Sequence, residues 1–120
     1  IYDLVLEAQL AGLAAVCPGV AAAELDEICR AVFRDAGYEE WFIHGTGHGV
    51  GLDIHEEPFV ASTSKSVLLE GDVVTVEPGV YRDGFGGVRI EDLVAVTATG
   101  CATLTTLPKD SPCLRSPPTT

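Results

Sequence analysis

The sequence predicts an α+β domain in which two helices pack on a mainly antiparallel sheet. Two stretches with helical apolar spacing come first, and a series of short β-prone runs separated by turn residues follows. Helices followed by such a strand meander are typical of this class. The length of 120 residues suits one domain, and the 47% of hydrophobic residues suits a packed core.

The first predicted helix covers residues 1–16, with an apolar face formed by Tyr2, Leu6, Leu10 and Leu13. Pro18 and Gly19 end it. The second predicted helix covers residues 22–36, and Gly37 supplies its left-handed C-terminal cap. Its apolar face is predicted to contain Leu25, Ile28, Cys29, Val32 and Phe33.

Four β-prone runs follow, at residues 73–76, 87–90, 93–96 and 101–104. Turn residues separate them at Gly71-Asp72, Asp83-Gly84 and Thr99-Gly100. Residues 61–65 are polar and predict a surface loop, and residues 111–120 show no periodicity and predict a loose tail. The domain is therefore expected to occupy residues 1–110.

The charge balance excludes two classes of partner. Lys and Arg number 7 against 18 Asp and Glu, which gives a net charge of −11. Nucleic acids and anionic membrane surfaces both require basic residues, so neither is an expected partner. No apolar run is long enough for a membrane span. The four cysteines form no C-x-x-C pair and are predicted to be reduced thiols of a cytoplasmic protein.

All 3 histidines, His44, His48 and His55, lie in one glycine-rich window. Glycines at positions 45, 47, 49 and 51 make a helix unfavourable by about 1 kcal/mol each, which argues against a helical zinc motif. The window predicts a loop whose backbone approaches its surroundings closely. Solvated histidines without a role are the alternative.

Two glutamates strengthen the functional interpretation. Glu77 ends the run 73–76, and Glu91 follows the run 87–90. A carboxylate at the end of an apolar strand is costly to bury unless it is paired or bound to a metal. Imidazole combined with two carboxylates suits Mn, Fe, Co or Zn better than Mg or Ca. Ordinary glutamates on edge strands are the alternative.

Four motifs in this order carry a family resemblance: GHGVG at 47–51, HEEP at 55–58, TVEPGVY at 75–81 and GGVRIED at 86–92. They resemble the dinuclear metallopeptidases with the pita-bread fold, which include Xaa-Pro dipeptidases, aminopeptidase P, methionine aminopeptidase and creatinase. The motifs around Glu77 and Glu91 are more similar to the proline-peptidase branch. The resemblance implies a curved sheet and a chain that forms the C-terminal half of a catalytic domain.

The resemblance also implies the metal ligands. His48 and Glu77 would bind one divalent ion, and Glu91 would bridge that ion and a second one. Manganese is the first expectation for the intact family fold, with cobalt, zinc or iron as alternatives. Two such ions would activate a water that attacks the scissile carbonyl.

Further roles follow from the same resemblance. His44 and His55 would contact the substrate and stabilise charge on its carbonyl oxygen. Arg89 and Tyr81 would hold the carboxylate ligands in place. The substrate would be a short peptide, with proline after the scissile bond. Thr46, Asp53, Glu56 and Glu57 carry no assigned role.

The sequence departs from the family pattern at two metal-binding aspartates that would precede everything seen here. Asp3, Asp26 and Asp35 fall in the predicted helices instead, and the first residue is Ile1 rather than Met. The chain is therefore expected to be a piece of a longer polypeptide that binds at most one ion, weakly, and has little activity alone. Pairing with a second copy or with the missing N-terminal half is expected, because an unpaired sheet edge would otherwise be exposed. A non-catalytic remnant and a methionine aminopeptidase are the alternative functions.

Overall fold

A computed structural model describes residues 1–112 of the chain. Helix α1 spans Tyr2–Ala15 and helix α2 spans Ala22–Asp35, close to the predicted bounds. The predicted tail at 111–120 lies outside the described residues from position 113 onward, as does Cys113. No helix in the described part of the chain is long and apolar enough to cross a membrane.

The buried face of α1 differs from the predicted one. Val5, Ala8, Gln9 and Gly12 are buried, whereas Leu10 is 48% exposed. Small residues on the buried face allow α1 to approach its neighbours closely: a Cβ atom at Gly12 would lie 2.6 Å from the Cys29 sulfur of α2. Close packing against α2, rather than the size of the apolar side chains, therefore selects this face.

Helix α2 follows its prediction. It buries Leu25, Cys29 and Phe33 and ends in a Schellman motif, in which the N–H of Gly37 donates to the Arg34 carbonyl and that of Tyr38 to the Phe33 carbonyl. Gly37 has a φ of 83°, the left-handed conformation expected for its role as a cap. A short 3₁₀ turn, Glu39–Trp41, leads from α2 into the histidine-rich segment.

Seven short strands follow the helices. They are β1 (Gly47–Gly49), β2 (Glu56–Val60), β3 (Val73–Val76), β4 (Gly79–Arg82), β5 (Gly86–Arg89), β6 (Asp92–Val96) and β7 (Cys101–Thr103). Five of them form an antiparallel sheet in the order β2-β1-β3-β6-β7, and β4 pairs with β5 as a separate hairpin. The α+β class is confirmed, and β3, β5, β6 and β7 match the predicted runs to within one residue at each end.

Two expectations about the strands are wrong. The simple meander is interrupted, because β3 pairs with β6 while the β4–β5 hairpin stands apart. The window predicted to be a loop contains β1 and leads directly into β2, with which β1 pairs. Gly47 and Gly49 make this pairing possible: a Cβ atom at Gly47 would lie 1.9 Å from the Thr75 carbonyl oxygen, and one at Gly49 would lie 2.4 Å from that of Glu57.

The core has two parts that hold the sheet and the hairpin respectively. One contains Val16, Ala22, Leu25, Val60, Leu68, Val74, Val76, Val94 and Val96, which join the helices to the sheet. The other contains Val5, Ala8, Phe33, Phe42, Val80 and Ile90, which join the helices to the hairpin. The candidate site residues lie before and on β1, next to the ends of β2, β3 and β5, and on β4, so both parts of the core contribute to their placement.

Candidate active site

Six of the seven predicted site residues line two adjoining clefts, and Tyr81 lines neither. One cleft is lined by His44, His48, His55, Glu77 and Arg89, together with Phe59 and several small residues. The other shares His48, His55, Glu77 and Arg89 with the first and adds Glu91. The fold therefore brings together side chains that are up to 47 positions apart in the sequence, from His44 to Glu91.

His48 and Glu77 form the central contact of the site. The Nε2 atom of His48 lies 3.0 Å from Oε1 of Glu77, and both side chains are 13% exposed. The other ring nitrogen, Nδ1, lies 2.9 Å from the Gly49 carbonyl oxygen. A carbonyl can only accept a hydrogen bond, so Nδ1 carries a proton, and Nε2 is the ring nitrogen that faces the Glu77 carboxylate.

Thr75 links these two side chains and was not singled out by its sequence context. Its hydroxyl accepts a hydrogen bond from the His48 backbone N–H (3.1 Å) and donates one to Oε1 of Glu77 (2.9 Å). Thr75 is buried and precedes Glu77 by two positions on β3. The signal that the sequence offers for this role is the position of Thr75 at the start of the TVEPGVY motif, two residues before Glu77.

Glu91 lies in the same cleft between β5 and β6. Loss of water around its carboxyl raises the pKa of Glu91, the negative charge of Glu77 raises it further, and Arg89 and His48 oppose the shift. Within residues 1–112, no three His, Cys, Asp or Glu side chains are grouped closely enough to hold a metal ion. The assignment of His48, Glu77 and Glu91 as ligands thus remains a prediction.

Arg89 lies beside Glu77, as the resemblance implies. Its Nε atom is 3.7 Å from Oε2 of Glu77, and the Arg89 side chain is half exposed. That distance makes the contact an ion pair rather than a hydrogen bond. Arg89 therefore balances part of the carboxylate charge without taking up the oxygen that faces His48.

Tyr81 contacts a histidine instead of a carboxylate. Its hydroxyl lies 2.8 Å from Nε2 of His44, and Nδ1 of His44 lies 2.7 Å from the Gly45 carbonyl oxygen. The Phe42 ring packs edge-on against the His44 ring, with centroids 5.2 Å apart. These three neighbours fix the orientation of the His44 ring at the edge of the cleft.

His55 stands directly before β2 and faces His48. The two ring centroids are 4.3 Å apart with an interplanar angle of 57°. His55 is exposed, so its ring is open to a molecule that enters the cleft. In the site, His48 and Glu77 are fixed by hydrogen bonds and contact each other, and the solvent-exposed imidazole of His55 lies next to them.

The family model described as metallopeptidase family M24 matches residues 1–98. The chain belongs to metallopeptidase family M24. Membership implies a divalent metal cofactor, and the donor types suit one: the imidazole of His48 and the carboxylates of Glu77 and Glu91 line the same cleft.

Individual relatives agree with this assignment. The chain is 50% identical over 105 residues to the Xaa-Pro dipeptidase of Pyrococcus furiosus, an alignment that covers 88% of this chain and 30% of that protein. It is 46% identical over 110 residues to the putative dipeptidase YkvY of Bacillus subtilis, with coverage of 92% and 30%. The chain spans about 30% of the length of these curated relatives.

Solved structures show the same fold. The prolidase from Pyrococcus horikoshii OT3 matches with a TM-score of 0.89 and 46% identity, over 92% of this chain and 32% of that one. The X-Pro aminopeptidase from Thermotoga maritima MSB8 matches with a TM-score of 0.88 and 44% identity, over 92% and 31%. The pita-bread architecture expected from the four motifs is confirmed.

Proposed function

We propose that this chain forms part of a metal-dependent exopeptidase of the Xaa-Pro dipeptidase or aminopeptidase P type. The contact between His48 and Glu77 is the observation that carries the proposal: Nε2 and Oε1 lie 3.0 Å apart in a cleft that Glu91 and His55 also line. Relatives named Xaa-Pro dipeptidases support proline-containing peptides as substrates.

His48, Glu77 and Glu91 would hold the divalent ion, with manganese as the first candidate and cobalt, zinc or iron as alternatives. Nε2 of His48 and Oε1 of Glu77, which lie 3.0 Å apart, would be two of the donor atoms. A bound divalent ion supplies Lewis acidity, which polarises a carbonyl and lowers the pKa of water. The hydrogen bond from Nδ1 of His48 to the Gly49 carbonyl orients the ring so that Nε2 faces Glu77.

The other site residues act on the peptide. His44 and His55 would contact the substrate and stabilise negative charge on the carbonyl oxygen. Tyr81 holds the His44 ring through its hydroxyl, and Arg89 balances part of the Glu77 charge. The substrate proposed for this cleft is a short peptide with proline after the scissile bond.

We propose that residues 1–110 form the C-terminal half of the catalytic domain, as the resemblance of the four motifs implies; the chain spans about 30% of the length of its relatives. On its own it would bind at most one ion, weakly, and hydrolyse peptides poorly. Large apolar side chains support pairing with a further half or a second copy: Leu52, Phe85 and Ile43 are 106%, 84% and 74% exposed. Light scattering during size exclusion tests this pairing, and a monomer at every concentration would contradict it.

The proposal also includes a cytoplasmic location. Cys17, Cys29 and Cys101, the cysteines in the described part of the chain, are free thiols. Free thiols are typical of reducing compartments. Localisation of a tagged full-length protein by microscopy tests this part of the proposal separately.

A metal-titrated hydrolysis assay tests the function. It compares this chain with a protein extended to the length of the relatives, using an Xaa-Pro dipeptide and a Met-initiated peptide without proline. We expect the extended protein to cleave the Xaa-Pro substrate and to lose that activity in the His48→Ala and Glu77→Gln variants. The control variant, Arg34→Met on the exposed face of α2, should retain it.

Two other outcomes of the hydrolysis assay would favour one of the alternative functions. Preference for the Met-initiated peptide would replace the proposal with a methionine aminopeptidase. Absence of both hydrolysis and metal binding in the extended protein would replace it with a non-catalytic module of the same fold.

A further inference from the structure

A buried ion pair on α2 lies behind the segment that carries His44. Asp26 and Arg30 are one helical turn apart, with Arg30 Nε 3.1 Å from Oδ2 of Asp26. The Asp26 side chain is fully buried, and that of Arg30 is 18% exposed. A buried ion pair seldom adds stability relative to apolar residues of the same size, so its partners indicate what else it does.

Arg30 holds the backbone on both sides of Ile43, the residue before His44. Its Nη1 donates to the Phe42 carbonyl and its Nη2 to the His44 carbonyl, each at 3.1 Å. The guanidinium also stacks over the Phe42 ring, 4.2 Å from the centroid, and that ring packs edge-on against His44. The planar fork of arginine suits two carbonyl acceptors, and lysine cannot reproduce this arrangement.

Asp26 fixes the next part of the same segment. Its Oδ1 accepts hydrogen bonds from the backbone N–H and from the hydroxyl of Thr46, both at 2.9 Å. The Thr46 carbonyl in turn accepts a hydrogen bond of 2.7 Å from the backbone N–H of Glu77. A continuous set of hydrogen bonds therefore runs from α2 through Thr46 to the backbone of the proposed metal ligand.

We propose that Asp26 and Arg30 are positioning residues that set the orientation of the His44 ring and the placement of Glu77. This inference rests on the proposed function for its catalytic meaning. The His44 ring depends on the peptide that Arg30 holds, because Nδ1 donates to the Gly45 carbonyl directly after the His44 carbonyl. Neither Asp26 nor Arg30 lines the two clefts that contain His48 and Glu77.

Nuclear magnetic resonance of the His44 ring nitrogens tests the proposal without metal or substrate. The wild type should show one tautomer, protonated at Nδ1. We expect Arg30→Met and Arg30→Lys to shift the His44 resonances toward a mixture of tautomers, and Asp26→Asn to broaden or shift the amide signals of Thr46 and Glu77. The matched control, Arg34→Met, makes the same change one turn along α2 at an exposed ion pair and should leave these signals unchanged.

The Arg30→Lys variant preserves the positive charge beside Asp26, so it keeps the test decisive if Arg30→Met does not fold. Unchanged His44 signals in a folded Arg30→Lys protein would overturn the proposal and leave the pair a purely structural role. In an active extended protein, Arg30→Lys should lower kcat/KM by about 10- to 100-fold, since small misplacements of reacting groups have effects of that size. If the extended protein is inactive, the proposed function fails, while the resonance measurement still decides the positioning role.

Discussion

Replacement of Thr75 by valine tests how the candidate site is held together. Valine keeps the branched shape but removes the hydroxyl that joins the His48 backbone N–H to Oε1 of Glu77. A buried N–H without a partner costs about 1–3 kcal/mol and a hydrogen bond to a charged group contributes about 1.5–3 kcal/mol, and both values fall in the lower half here because the two contacts are only partly buried. We therefore expect Thr75→Val to lower the free energy of unfolding by about 2–4 kcal/mol.

Thr75→Ser is the matched control, because serine retains the hydroxyl and loses one methyl group, worth about 1 kcal/mol. Urea denaturation followed by circular dichroism gives the unfolding free energies, and calorimetric titration with Mn²⁺ gives the affinity. Loss of an outer hydrogen bond to a metal ligand typically weakens metal binding about 10- to 100-fold, so Thr75→Val should bind Mn²⁺ that much more weakly than Thr75→Ser. Equal stability and equal affinity in the two variants would refute the role assigned to the hydroxyl.

Two further predictions concern packing and reactivity. Gly47→Ala should destabilise the chain by about 3 kcal/mol or prevent folding, because its Cβ would lie 1.9 Å from the Thr75 carbonyl oxygen. Gly100→Ala is the control: the nearest atom to its Cβ would be the Val16 carbonyl oxygen at 3.9 Å, so the unfolding free energy should change by less than about 0.5 kcal/mol. Equal losses of stability in the two variants, measured by urea titration, would contradict the close approach at Gly47. Burial raises the pKa of the Cys29 thiol to about 12. Iodoacetamide at pH 8 should therefore label Cys17 and spare Cys29 in the folded chain. Rapid labelling of Cys29, detected by peptide mapping, would contradict its burial.

The same shift predicts how stability depends on pH. Cys29 has a pKa of 9.0 when unfolded and about 12 when folded, so the unfolded thiol ionises first as the pH rises. Its contribution to stability is complete below pH 9 and declines between pH 9 and 12. Replacement of Cys29 by alanine should reduce this alkaline loss of stability in denaturant titrations, and an unchanged pH dependence would contradict it.

Local patterns in the sequence were sufficient for the helices and for most strands. The α2 face and the Gly37 cap depend on residues within one or two helical turns, so periodicity alone predicts them. The face of α1 depends on contact with Cys29 across the helix pair, which periodicity does not contain. The strand β1 is short and glycine-rich, and it pairs with β2 and β3 because Gly47 and Gly49 can approach the neighbouring backbones closely.

The candidate site shows the same division. Histidines and glutamates stand out by their chemistry, and the four motifs imply their roles by resemblance; the structure brings six of the seven predicted residues into the two clefts, and their roles stay predictions. The residues that hold them could not be named from the sequence, because their roles arise only when distant segments meet. Thr75 and Asp26 have ordinary positions in a strand and a helix, and their contacts with His48 and Thr46 span 27 and 20 positions.

A crystal structure of the extended protein grown with Mn²⁺, with anomalous diffraction data, tests the metal site most directly. We expect an anomalous peak at bonding distance, about 2.0–2.3 Å, from Nε2 of His48 and a carboxylate oxygen of Glu77, with Glu91 as a further ligand. A peak bound by other residues, or no peak in crystals saturated with Mn²⁺, would contradict it.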